Sequence, residues 1–120
     1  ACVVGLGGDH TGVWANDEAF YKAFSDASEK SSELTWRMPL HNVFNKPLKS
    51  SIVADMVNSA APKGGGANVA ASFLSEFVND DVAWIHLDIA GTSFTKETTP
   101  LTPKGATGVM VRTLANLFDV

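Results

Sequence analysis

The 120 residues, 45% hydrophobic and 18% charged, suffice for one packed domain or a piece of a larger one, and that balance excludes an intrinsically disordered chain. A formal charge of −4 without a local Lys/Arg cluster gives no field to attract nucleic acid, and no run approaches the roughly 18 apolar residues of a membrane span. The single cysteine, Cys2, excludes an internal disulfide and predicts an intracellular protein with a small buried thiol.

Cys2 to Leu6 is short, apolar and rich in β formers, which predicts a strand, with Gly7-Gly8-Asp9 and Thr11-Gly12 as turn residues around His10. The pattern of a signal peptide is not seen, and a start inside an apolar strand suggests a chain cut or excised from a longer one. Asn16 is a good N-cap, Asp17 and Glu18 suit a first helical turn, and Ala19, Phe20, Ala23, Phe24 and Ala27 recur at three and four, so a helix is expected over 17–31. Trp36 to Leu40, closed by Pro39, is expected to be a connector. A short helix limited by Pro47 fits His41 to Lys49, and weak alternation predicts a further, edge-like strand over Ser51 to Val57.

Pro62-Lys63-Gly64-Gly65-Gly66 is a flexible loop, followed by the broad apolar helical face of Ala67, Ala70, Ala71, Phe73, Leu74, Phe77 and Val78. Val82 to Ala90 is apolar on both faces except at His86 and Asp88, as a central parallel strand would be. Gly91 to Lys104, polar and carrying Pro100 and Pro103, is expected to be a surface loop. The last helix is expected from Thr107 to Phe118, burying Val109, Met110, Thr113, Leu114 and Leu117. Strands alternating with helices predict an α/β fold in three layers, a mostly parallel sheet with helices on both faces, within one unit over 1–120 that forms part of a domain.

Chemistry-bearing residues are sparse. His86 and Asp88, two apart on a strand, share a face, yet two ligands make no metal site, and a buried His paired with Asp or backbone is the better expectation. Gly5-Leu6-Gly7-Gly8 starts like a dinucleotide fingerprint, but the third glycine would fall on His10 and Asp9 would repel a pyrophosphate. Lys63-Gly64-Gly65-Gly66 before a helix has the physics of an anion pocket, which leaves a small-ligand module open, though it lacks the Walker spacing and a flexible turn explains it as well. No nucleophile elbow or Cys/His pair supports acyl-enzyme chemistry. Ala90-Gly91-Thr92-Ser93, small residues at a strand's carboxyl end, could line a pocket or form a plain tight turn.

Five segments in order, Ala1 to Gly7, Trp36 to Leu40, Lys63 to Val78, Trp84 to Gly91 and Gly105 to Gly108, make the chain resemble the C-terminal part of the leucyl aminopeptidase family's catalytic domain. The resemblance implies a parent enzyme, cytoplasmic and hexameric, that removes N-terminal, preferably apolar, residues from peptides with a water bridging two divalent cations, zinc or manganese. It implies that the metal ligands, the catalytic lysine and the arginine lie upstream of Ala1, so this chain alone binds no metal, carries no catalytic residue and is inactive. By the same matching, Ala90 lines the pocket for the substrate's first side chain, Ser93 stands at a wall position often larger and apolar, Gly91 and Thr92 complete that wall, and Ser59 matches the next subsite. The sequence departs from the family at Ser59-Ala60-Ala61-Pro62. The rival expectation is a non-catalytic structural or oligomer-assembly module.

Overall fold

The computed structural model describes residues 1–59 and 64–120. Its elements, in order, are helix α1 (Cys2–Leu6), strand β1 (Thr11–Ala15), helix α2 (Glu18–Ser31), strand β2 (Thr35–Arg37), a 3-10 helix (Asn42–Lys49), helix α3 (Gly66–Ser75), strands β3 (Ile85–Asp88), β4 (Phe94–Thr95) and β5 (Gly105–Ala106), and helix α4 (Val111–Phe118).

Helix α2 forms where the apolar spacing places it, with one change at its cap. Asp17, not Asn16, caps it, its Oδ1 accepting from Phe20 N–H at 2.7 Å. Asn16 instead accepts from Trp84 N–H and donates to the Val82 carbonyl, tying the start of α2 to the approach to β3. The 3-10 helix accommodates Pro47 inside it, and α3 buries Ala67, Val69 and Ala71 but ends at Ser75, leaving Ala70, Leu74 and Phe77 of the expected apolar face exposed.

Cys2 to Leu6 is a helix, not the expected strand. Cys2 and Leu6, four apart, turn to the same core, while Val3 and Val4 face outward; a five-residue apolar run carries too little period to show this. Thr11 and Gly12 are not turn residues but open β1, which is buried throughout. A Cβ at Gly12 would lie 2.7 Å from Cys2 Sγ and 3.0 Å from the Trp14 ring, so close approach explains this glycine. Trp36 and Arg37, expected in a connector, extend β2, and the connector begins at Met38.

The order β2-β1-β3 makes β1 central, parallel to β2 with Thr11 opposite Thr35, and antiparallel to β3 with Trp14 opposite His86. The stretch expected as a central parallel strand is thus a four-residue antiparallel strand beside β1, half-buried, and the sheet of this chain is mixed rather than mostly parallel. Its apolar flank misled because Val82 and Ile89, outside the paired residues, stay exposed. No strand forms over 51–57: Ser51 Oγ accepts from Val53 and Ala54 N–H in a local turn that competes with pairing and leaves Ile52 and Val53 exposed. The surface loop holds a small hairpin, β4 against β5. The last helix starts at Val111, four residues late, since Gly108 and Met110 both have positive φ, and Leu114 is exposed where burial was expected.

Alternation along β1 gives the sheet two cores. Trp14 packs with Cys2, Ala67 and Ala71 from α1 and α3, and its indole N–H donates to Asn68 Oδ1 at 3.0 Å. Val13 packs on the other side with Phe24 of α2 and Met110, backed by Ile85, Leu87 and Leu117. The architecture is α/β with a mixed sheet.

Candidate functional site

The turn that follows β3 is held by its own backbone first. Asp88 Oδ1 accepts from Ala90 N–H at 3.0 Å, and Thr92 and Ser93 N–H both donate to the Ile89 carbonyl, at 3.1 and 2.9 Å. Neighbouring elements then clamp it. Thr92 Oγ1 lies 2.8 Å from Thr11 Oγ1 at the buried start of β1, and Thr107 donates through Oγ1 to the Thr92 carbonyl at 2.7 Å and through N–H to the Ser93 carbonyl at 2.9 Å. A Cβ on Gly91 would stand 2.7 Å from the Gly7 carbonyl and 3.1 Å from Val3 Cγ2, so only glycine lets the turn settle on the α1–β1 loop.

Thr92 is buried, Ser93 half-buried and Ala90 exposed. Gly91 and Thr92 line an open groove of ≈ 900 Å³, with Val3, His10, Phe94 and Leu101 among its other walls. Ser59, exposed, is not part of it: it borders a separate ≈ 410 Å³ depression between the 3-10 helix and α3, with Leu48, Val69 and Phe73. Of the five expected site residues, only Gly91 and Thr92 line this groove; Ala90 and Ser93 share their turn without lining it, and Ser59 lies elsewhere.

A third groove, ≈ 840 Å³, opens past Ala15 and Arg37, at the carboxyl ends of the parallel pair β1 and β2, where open α/β sheets often take ligands. Two of its charges, Arg37 and Glu18, are matched to each other, and Asp80 and His41 also line it. Arg37 makes a forked ion pair with Glu18, which lowers the Glu18 carboxyl and raises the guanidinium, and Arg37 lies 4.2 Å from the Tyr21 ring centroid.

Among the described residues no three His, Cys, Asp or Glu side chains gather as a metal site. The His86 ring pairs with neither of the expected partners, Asp88 or backbone, among the described residues; its centroid lies 5.4 Å from that of Trp14 and 6.1 Å from that of Trp84, while the Asp88 carboxylate turns to Ala90. Burial lowers the His86 pKa and the Asp88 charge only partly opposes this. A neutral ring is therefore favoured by folding, so its contribution is present above the ordinary histidine value of 6.5 and is lost as pH falls below it. The thermal midpoint should drop more between pH 7.5 and about 5.5 in the wild type than in His86→Gln, and equal drops would contradict this account. Burial also raises the Cys2 thiol, with Asp88 adding to the effect, in keeping with an inert side chain. The anion-loop idea rests on Lys63, outside the described residues; Gly65, in the left-handed region, leads into α3 without a side-chain cap.

Thr11, Thr107 and Glu33 escaped the sequence. Thr11 looked like turn punctuation, and Thr107 was visible only inside the Gly105 to Gly108 motif. Glu33 had no local signal, since its partners Met110 and Thr113 lie 77 and 80 residues away.

The family model for the catalytic domain of the cytosol aminopeptidase family matches residues 1–115. Probable cytosol aminopeptidases of Synechococcus sp. and of Cereibacter sphaeroides are 47% and 48% identical over 116 and 118 residues, 97% and 98% of this chain. The chain spans only 23% and 24% of those proteins. Among solved structures, a mutant tomato leucine aminopeptidase superposes with a TM-score of 0.87 at 36% identity, over 97% of this chain and 22% of that one. The bottromycin maturation enzyme in complex with Mn gives 0.89 at 36% identity, over 98% and 26%.

Proposed function

The chain belongs to the cytosol aminopeptidase family, and from that membership we propose that its 120 residues are the C-terminal, pocket-bearing portion of an aminopeptidase catalytic domain. The parent removes N-terminal residues, apolar and leucine-like, from peptides. Ala90, Gly91, Thr92 and Ser93 form the wall against the substrate's first side chain, and Ser59 borders the next subsite. The observation that carries this reading is the turn at 90–93, clamped on both sides yet bearing only small side chains, beside an open groove. A rigid wall of small residues leaves volume for an apolar side chain, and serine at 93 makes that pocket wider or more polar than an apolar residue would.

The upstream portion of the same polypeptide supplies the two divalent cations, zinc or manganese, and the groups that act with them; a relative's structure holds Mn. The residues of this chain contribute shape, holding the substrate's side chain in place. The complete enzyme is a cytoplasmic hexamer, and its sheet, extended by the upstream strands, is the three-layer, mostly parallel one. The exposed faces of Val4, Ile52 and Val53 suit a surface that the rest of the parent covers.

The test is hydrolysis of leucine amide with added Mn²⁺ or Zn²⁺, by the chain alone and by the chain assembled with the upstream portion. Turnover only by the assembly is expected. Turnover by the 120 residues alone would place the metals on this chain, and silence from a demonstrated assembly would leave a structural module.

A further inference from the structure

The Ala90 to Ser93 turn is held in position by residues outside it, at the start of β1 and just past β5. Its last two carbonyls, of Thr92 and Ser93, are both taken by Thr107, and its one buried hydroxyl, on Thr92, meets the wholly buried Thr11. Thr107 sits between two glycines of positive φ, Gly105 at 129° and Gly108 at 65°, and its Oγ1 also accepts from Val109 N–H at 3.2 Å. Beyond it the chain is anchored again, because Glu33 accepts from Met110 N–H at 3.0 Å. The segment between hairpin and helix therefore has its backbone freedom removed by two side-chain anchors, and one of them faces the turn.

We propose that Thr107, seconded by Thr11, is a positioning residue that sets the depth of the substrate pocket, through the carbonyls of Thr92 and Ser93. This rests on the reading of Ala90 to Ser93 as the pocket wall. Ser93 lies between the two clamped peptide units and Ala90 two residues before them, so releasing those units frees Ser93 directly and Ala90 through the backbone of the turn. Discrimination between apolar side chains differing by a few methylenes depends on such a wall staying fixed, and small displacements of it change rates by large factors.

Thr107→Val keeps the N–H bond to Ser93 and the side-chain volume but removes the hydroxyl that reaches the Thr92 carbonyl. In a parent protein containing the upstream portion, the ratio of kcat/KM for leucine amide over alanine amide should change about tenfold, mostly through KM, with Thr107→Ser restoring it. A purely structural role would lower the active fraction and reduce both substrates by one factor, so an unchanged ratio overturns the proposal, as does failure of the serine variant to rescue. Thr11→Val gives the same reading through the other clamp should Thr107→Val not fold. An unmutated parent hydrolysing neither amide would instead overturn the aminopeptidase reading on which this one stands.

Discussion

Glu33→Ala should destabilise the packing of α4 by about 3 kcal/mol, because it removes the acceptor of several buried donors, each costing about 1–3 kcal/mol when left unsatisfied. Glu33 is 8% exposed. Its carboxylate accepts from Met110 N–H at 3.0 Å, Thr113 N–H at 3.0 Å and Thr113 Oγ1 at 2.6 Å, with Arg112 at 3.6 Å. Those amides are the ones a helix leaves unpaired at its start, and α4 has no cap from its own N-cap residue, Met110. A negative group there also suits the helix dipole. Truncation leaves three donors buried with no acceptor. Glu33→Gln, which keeps the shape but replaces one acceptor oxygen with a donor, should cost roughly half as much. Chemical denaturation gives the size, and hydrogen exchange over 110–118 gives the place. A loss below about 1 kcal/mol would mean that water replaces the carboxylate and that α4 is held by packing alone.

Gly91→Ala should reduce kcat/KM of the parent enzyme about a hundredfold, the scale on which misplacement of a site by an ångström acts. The Cβ would press on the Gly7 carbonyl at 2.7 Å, a backbone atom with no rotamer to escape through, and on Val3 at 3.1 Å. Either the turn lifts from the α1–β1 loop, carrying Ala90 and Ser93 with it, or the loop moves and strains β1. Gly5→Ala is the control, because a Cβ there meets nothing within 4 Å and alanine is the better helix former inside α1. Steady-state kinetics on both variants, with the thermal midpoint alongside, decide it. Near-normal activity in Gly91→Ala would show that the turn at 90–93 does not border the reacting substrate.

The clearest parts of the sequence were those with period. Helix α2 and helix α3 appear within a residue or so of their expected starts, since apolar positions at three and four need no distant partner to be recognised. Strand assignments fared worse. Cys2 to Leu6 and Ser51 to Val57 have β-forming residues and no sheet partner, while Thr11 and Gly12 resemble a turn and lie in the innermost strand. Pairing partners decide strands, and β1's neighbours begin 24 and 74 residues beyond Thr11, at Thr35 and Ile85. The candidate site was half legible. Small residues at the end of a strand pointed to Ala90 to Ser93, but Thr11, Thr107 and Glu33, which fix that turn and the segment bracing it, are ordinary residues in sequence.

By itself the sequence determined the family, the α/β class and the two best helices. These follow from composition, short-range period and motif order, all of which are local or additive along the chain. Only the tertiary structure decided that β3 runs antiparallel beside β1, that Glu33 caps α4, and that Thr11 and Thr107 close on Thr92 from two sides. Each of those bonds spans 15 to 81 residues or depends on a register that does. A hydrogen bond of that range leaves no mark on the spacing of its two partners, because the chain between them is free to vary until packing brings them together.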